Sequence, residues 1–156
     1  MINSFDGQYH FLSNFFPAPI EYEGVVWPTS EHLYQAAKTL NVDEITDILS
    51  NPKPGVAKRK GQCVTKRDTW ETDKFLLMVR IVGLKFAQNE NLSKLLIETG
   101  DEWLVEGNTW HDNLWGDCYC EKCKSKIGKN LLGTILMNTR LLAKGGLIET
   151  EFDIWY

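Results

Sequence analysis

The chain has 156 residues and a formal net charge of −4. That length suits one domain, and the acidic balance argues against a long phosphate-tracking surface while leaving recognition of a single nucleotide open. No apolar run reaches the roughly 20 residues of a membrane span and no basic-then-apolar leader opens the chain, so the expectation is a cytoplasmic protein with no membrane partner and no obligate protein partner evident.

In chain order, Ala18 to Trp27 alternates around Glu23-Gly24, which predicts a small β-hairpin. Pro28 stops it, and Thr29 or Ser30 can cap a helix carrying Glu31 and His32 in its first turn. A short helix is predicted over Asp43 to Leu49, ended by Asn51-Pro52-Lys53-Pro54. A basic segment follows, with Lys58, Arg59, Lys60, Lys66 and Arg67. Asp68 opens the longest helical pattern, with Glu71 as its capping-box partner and Phe75, Met78, Val79, Val82 and Phe86 as its apolar stripe. Asn91 to Thr99 reads as a helix ending at Gly100, and Trp103 to Glu106 as a short strand. Asn108 to Lys129 is irregular. Asn130 can cap a last helix with Leu132, Ile135, Leu136 and Leu142 on its packing side, ended by Gly145-Gly146, and Leu147 to Tyr156 is read as an edge strand. The class is α+β, a predominantly helical single domain over 1–156 with a hairpin and short antiparallel strands.

Chemistry concentrates in Thr29-Ser30-Glu31-His32-Leu33-Tyr34-Gln35-Ala36-Ala37-Lys38. At helical spacing Glu31, Gln35 and Lys38 share one face, while Leu33, Ala37 and Leu40 share a face that can pack. A carboxylate in the first turn feels the positive end of the helix dipole, which suits a base, a nucleophile or a stabiliser of positive charge. The simpler alternative makes Glu31 a capping residue and Lys38 a solvated lysine. Asp112-Asn113-Leu114-Trp115-Gly116 offers an acid, a ring and a flexible glycine on one loop, or else an Asx-type turn beside a core tryptophan. Gly128-Lys129-Asn130 can present free N–H groups and an amine to a phosphate, or serve as plain capping. Arg67 or Arg59 can meet a phosphate bidentately. The six tryptophans are mostly expected in the core, although each is also a flat surface for a base. Cys118, Cys120 and Cys123 follow a C-x-C-x2-C spacing, and His111 or Cys63 can complete four zinc ligands. The pattern lacks paired C-x2-C knuckles, so loose loop thiols are the competing reading.

Several segments in order resemble the NADAR family: Phe11 to Phe16; Trp27-Pro28-Thr29-Ser30-Glu31-His32 through Gln35 to Lys38; Arg67-Asp68-Thr69-Trp70; Lys85-Phe86; Leu95-Leu96 through Thr99-Gly100; Asp112 to Gly116; and Gly128-Lys129-Asn130 through Leu132-Gly133 to Met137 and Arg140. The resemblance implies an N-glycosidase that cleaves a ribose–nitrogen bond, either in a phosphorylated riboflavin-pathway intermediate or in ADP-ribose attached to guanine in nucleic acid. It carries Glu31, Lys38, Asp112 and Trp115 to the family's site, with Asn14 and Gln35 lining it. The chain departs from the family pattern after Asp117, where Cys118 to Lys126 replaces a short Gly- and Asp-rich loop; this bears on the edge of the site, and hence on substrate identity, and need not change the reaction.

On this reading Glu31 stabilises positive charge on the sugar, and Asp112 or Glu31 takes the proton of the attacking water. Lys38 either stabilises negative charge or attacks C1 to pass through an imine, which requires a neutral amine. Trp115 and Tyr34 stack on the substrate, and Lys129, Asn130 and Arg67 meet its phosphates. No metal or redox cofactor is needed. Two other classes compete: a non-catalytic reader of NAD- or ADP-ribose-like ligands, and a small zinc-stabilised interaction protein.

Overall fold

The structure, a computed structural model, describes residues 1–155, and the chain divides into two compact units. One unit comprises 14–89 with 149–156, and the other comprises 1–13 with 90–148. Helices predominate in both, joined by a few short strands. Among the described residues no helix is long and apolar enough to cross a membrane.

In the first unit β1 (Ile20–Tyr22) and β2 (Val25–Trp27) pair antiparallel, with Ile20 opposite Trp27 and Tyr22 opposite Val25. Glu23 and Gly24 both take positive φ, 49° and 76°, the backbone of a two-residue hairpin turn. Next come α1 (Ser30–Ala36), α2 (Val42–Leu49), α3 (Pro54–Gly61) and α4 (Trp70–Gln88). Asn41 caps α2 by accepting from Asp43 N and Glu44 N. α1 packs against α2, α3 and α4, and every one of its residues is buried. The core of this unit holds Trp27, Leu33, Ala36, Ile48, Ala57, Leu77, Ile81 and Phe86.

Three expectations for the helices and loops of this unit change. The first half of the basic segment, Lys58 to Lys60, lies in α3, while Lys66 and Arg67 lie beyond it: Pro54 sits in the first turn, Ala57 and Gly61 are buried, and the charged residues hide the packing face from a periodicity reading. α4 starts at Trp70, not Asp68; Thr69 makes no side-chain cap, and Glu71 pairs with Lys74 rather than closing a capping box. Phe75 and Leu40 lie exposed, outside the expected packing faces.

The tail described from Glu149 to Trp155 forms no strand; Tyr156 lies outside the described residues. Instead, irregular chain is fastened by side chains of the same unit. Tyr22 Oη accepts from Ile154 N at 2.6 Å, Arg80 Nη1 donates to Asp153 O at 3.1 Å, and the Tyr22 ring stacks on Phe152 at 6.5 Å. Side chains thus satisfy backbone groups that a sheet ladder would otherwise pair.

The other unit opens with a 3-10 helix over Gly7–Leu12 that the sequence reading did not assign. α5 (Glu90–Glu98) and α6 (Leu131–Gly145) pack together, and Arg140 ties them through Thr99 Oγ1 at 2.8 Å and Glu102 O at 3.0 Å. Gly100 and Gly146 adopt positive φ just past the two helices, as expected of glycine stops. The expected strand at Trp103–Glu106 reduces to a single parallel bridge between Ile2 and Leu104. The only named strands of this unit among the described residues, β3 (Gly107–Asn108) and β4 (Asp117–Cys118), pair parallel over two residues, so short parallel pairing replaces the antiparallel pairing expected. Leu142 is exposed, whereas Leu132, Ile135 and Leu136 are buried as expected.

Candidate active site

α1 is built to hold polar side chains still inside an apolar setting. Thr29 caps it, accepting from His32 N at 3.2 Å. His32 Nε2 faces Asn51 O at 2.7 Å, so that nitrogen donates, and Nδ1 is left to accept from Thr29 Oγ1 at 2.8 Å. Burial pushes the His32 imidazole below its ordinary value, only partly opposed by the Asn51 carbonyl. This histidine is a fixed, neutral brace. Asn14 holds the start of the helix: its backbone carbonyl accepts from Glu31 N at 3.1 Å, and its Oδ1 accepts from Ser30 Oγ at 3.0 Å.

Glu31 is 7% exposed, and its Oε1 accepts from Gln35 Nε2 at 2.6 Å, one helical turn away. Gln35 Oε1 is buried without a hydrogen-bond partner. Gly61 on α3 backs this pair, since a Cβ there would lie 2.0 Å from Gln35 Oε1 and 2.8 Å from Gln35 Cβ. The carboxylate is therefore fixed by an amide that is itself wedged between two helices.

Lys38 lies in the turn just after α1, half-buried, with Nζ 5.8 Å from the Tyr34 ring centroid and 6.0 Å from that of Trp70. The two rings meet at 5.3 Å, tilted by 55°. Burial pushes the Lys38 amine below the ordinary lysine value. The Glu31 carboxylate pulls it back up, and the cations of Lys66 and Lys58 push it down again. Carboxylate and amine thus feel one another within one neighbourhood, as the helical spacing required, and two further cations stand around the amine.

Arg67 is buried rather than presented to a ligand. Its Nη1 donates to Ile154 O at 2.7 Å and reaches Ala37 O at 3.4 Å, joining the tail to the end of α1. Lys60 is spent on Asp47 and Ser50, and Arg59 is exposed.

The remaining candidates fall in the other unit. Asp112 Oδ1 accepts from Leu114 N at 3.0 Å and Trp115 N at 2.9 Å, the Asx-type turn that was the alternative reading, with Oδ2 outside that turn. Trp115 is half-buried. The expected phosphate cradle at the start of α6 is not available. Gly128 N donates to Asp117 Oδ1, Lys129 N to Asn113 O, Asn130 N to Gly116 O, Leu131 N to Leu114 O and Leu132 N to Trp115 O. The loop before the helix has filled the N–H groups that an anion would need. Asn130 does not cap either: in left-handed conformation, its Oδ1 accepts from Glu106 N and its Nδ2 donates to Leu104 O. Lys129 is exposed.

The cysteine loop draws together. Ligand atoms of His111, Cys118, Cys120 and Cys123 all lie within 4.8 Å of one another, while Cys63 is exposed and outside the group. Burial works to raise the Cys118 thiol, but hydrogen bonds to its sulfur from the N–H groups of Cys120 and His111 and from the side chains of Cys120 and Cys123 together outweigh it and leave the thiol below its ordinary value.

Two buried polar or aromatic residues in the unit that holds α1 escaped the sequence reading of the site. Trp70 forms the second aromatic wall at Lys38; its position in the first turn of α4, right after Arg67-Asp68-Thr69, was the available signal. Lys85 is 1% exposed, against the rings of Phe16 at 5.8 Å and Phe86 at 5.2 Å. Lysine is almost never this buried without compensation. Its place inside the apolar run Leu84-Lys85-Phe86, and its presence among the segments that resemble the family, were the available signals.

The NADAR domain family model matches residues 3–142. N-glycosidase YbiA of Escherichia coli (strain K12) is 40% identical over 134 residues, covering 85% of this chain and 80% of that protein. N-glycosidase Npun_R5314 of Nostoc punctiforme is 35% identical over 151 residues, covering 90% and 93%. A protein of Vibrio vulnificus named for riboflavin biosynthesis is 36% identical over 137 residues, of which this chain covers only 36% of the length. The NMR structure of the E. coli protein YbiA matches with a TM-score of 0.77 and 35% identity, covering 96% of this chain and 90% of that one. With nearly the whole length matched in sequence and in fold, the chain belongs to the NADAR domain family.

Proposed function

We propose that this chain is an N-glycosidase that hydrolyses the ribose–nitrogen bond of a phosphorylated ribosyl compound. The observation that carries the reading is the pairing on α1: a buried carboxylate, Glu31, pinned by Gln35 at 2.6 Å, sharing its surroundings with an amine, Lys38, whose charged form burial disfavours. Its relatives named N-glycosidases supply the reaction class.

Departure of a base leaves positive charge on C1 and the ring oxygen of the ribose. A preorganised carboxylate beside that carbon stabilises the charge without having to reorganise. Gln35 supplies the preorganisation, because its amide holds one carboxylate oxygen and its own position is fixed by Gly61. The same carboxylate can accept the proton of the attacking water and pass it to the departing nitrogen, so that the C1–N bond breaks, a C1–O bond forms, the base leaves protonated and the carboxylate is regenerated.

The shifted amine favours the imine route among the two roles open to Lys38. Neutral Nζ attacks C1 as the C1–N bond breaks, and one proton of Nζ passes to the departing nitrogen; the bond from C1 to the ring oxygen then breaks, the second Nζ proton passing to that oxygen, to give an imine, and water hydrolyses it to return the amine and free ribose phosphate. Tyr34 and Trp70 form the walls beside Nζ and suit the flat face of a base or sugar. Lys58 and Lys66, whose charges act on Lys38, rather than Arg67, are the cations that we assign to attract a phosphate.

The test is to incubate the protein separately with a phosphorylated ribosylamino-pyrimidine of the riboflavin pathway and with ADP-ribosylated guanine in DNA, and to read products by mass spectrometry. Release of a free base and a ribose phosphate from one of them is expected. Glu31→Gln should lower kcat by about 10²–10³, the range for losing one electrostatic group aimed at a transition state, with Tm unchanged within a few degrees. Full activity in Glu31→Gln refutes the assignment. Borohydride added during turnover should trap a sugar adduct on Lys38, and its absence leaves the direct hydrolytic route. Asp112→Asn is the matching variant for the other carboxylate carried over from the family.

A further inference from the structure

We propose that His111, Cys118, Cys120 and Cys123 form a four-coordinate zinc site that clips the loop between β3 and the start of α6. The reaction proposed above needs no metal, and the clip stands independently of that reading.

Geometry carries the proposal. Zinc bound by three thiolates at ~2.3 Å and one imidazole nitrogen at ~2.0 Å sets its ligand atoms roughly 3.5–3.8 Å apart in a tetrahedron. His111 Nδ1 lies 3.3 Å from the sulfurs of both Cys120 and Cys123, and all four ligand atoms fall within 4.8 Å of one another. They enclose a space of the size that such an ion fills.

Each ligand is delivered by a different local device. Cys118 is fixed in β4 and by its own N–H, which donates to Asn113 Oδ1 at 3.0 Å. Cys120 and Cys123 are brought to one side by a tight turn in which Cys123 N and Lys124 N both donate to Cys120 O at 2.9 Å. His111 takes φ of 68°, a left-handed conformation that a non-glycine residue keeps only when its surroundings require it. Here it directs the imidazole at the two sulfurs.

The donor set also selects the metal. Three soft sulfurs and one nitrogen in a closed tetrahedral set fit structural zinc, with no position left over for water. Three thiolates leave the zinc-loaded site with one net negative charge, and the turn that holds Cys120 and Cys123 also carries Lys122, Lys124 and Lys126. A disulfide is the poorer account: it would leave an odd thiol and no role for His111, and all the cysteines are free.

The experiment uses the full chain. It is purified, loaded with Zn(II), exchanged into metal-free buffer and measured by elemental mass spectrometry. One zinc per chain is expected. Replacing it with Co(II) should give thiolate-to-cobalt charge transfer and the intense visible bands of tetrahedral coordination. Cys120→Ser should lose the metal, and Cys63→Ser should keep it. Should Cys120→Ser fail to fold, wild type decides alone: a thiol-blocking mercurial should release one equivalent of zinc, and three of the four cysteines should react with a disulfide reagent only after chelation. Absence of stoichiometric zinc in loaded wild type overturns the proposal. So does full zinc retention by Cys120→Ser, or equal reactivity of all four thiols before chelation.

Discussion

Replacing Gly61 with Ala tests how α3 holds the Glu31–Gln35 pair. The added methyl would lie 2.0 Å from Gln35 Oε1, 2.7 Å from Cδ and 2.8 Å from Cβ. The first atom belongs to the flexible end of the side chain and can swing away. The Cβ is fixed by the α1 backbone, so α3 itself must move outward by about 0.6 Å to restore ordinary contact. Overpacking of this kind costs about 1–3 kcal/mol, which for a chain of this length lowers Tm by roughly 2–12 °C. The swing also takes the Gln35 amide off Glu31, so kcat should fall together with Tm. Gly55→Ala is the control on the same helix. Nothing lies within 4 Å of a Cβ there, and alanine in place of glycine favours the helix by up to about 1 kcal/mol, so its Tm should rise and activity should not change. Differential scanning calorimetry with a steady-state base-release assay reads both quantities. Equal or higher Tm for Gly61→Ala than for wild type, with Gln35 still paired to Glu31, refutes the wedge.

Lys38→Met should raise Tm by a few degrees at neutral pH while abolishing turnover, because a half-buried ammonium is exchanged for an apolar chain of similar length, a gain of about 1 kcal/mol. The amine is shifted down on folding, so the stability cost is present at neutral pH and vanishes above the ordinary value of 10.5, where it is neutral in both states. The gain in Lys38→Met should therefore shrink as pH rises, and a gain that grows with pH contradicts the burial. His32 is also shifted down, so its contribution is complete above 6.5 and is lost as pH falls through its folded value. In an NMR titration its ring should protonate below 6.5; a midpoint at or above that value shows the imidazole is not buried as a neutral brace.

What the chain determined by itself was local. The Glu23-Gly24 turn, the glycine stops at Gly100 and Gly146, and the Glu31–Gln35 contact one helical turn apart all depend on residues within a few positions of one another. Backbone sterics and helix geometry set those distances whatever the rest of the molecule does. The alignment of Glu31 with Lys38 followed from the same spacing, although α1 ends at Ala36 and Lys38 sits in the turn beyond it. Tertiary structure decided which polar groups were already taken. The opening N–H groups of α6 were legible as an anion site until the preceding loop filled them, and Asn130 until Leu104 and Glu106 claimed its amide. Arg67 was legible as a phosphate clamp until the distant tail bonded to it. Likewise α3 is a helix because α1 offers it a packing face, and His111 joins three cysteines only because its backbone turns left-handed. Periodicity records which face of a segment is apolar; it carries no record of which remote carbonyl, ring or sulfur will meet that face once the chain has closed.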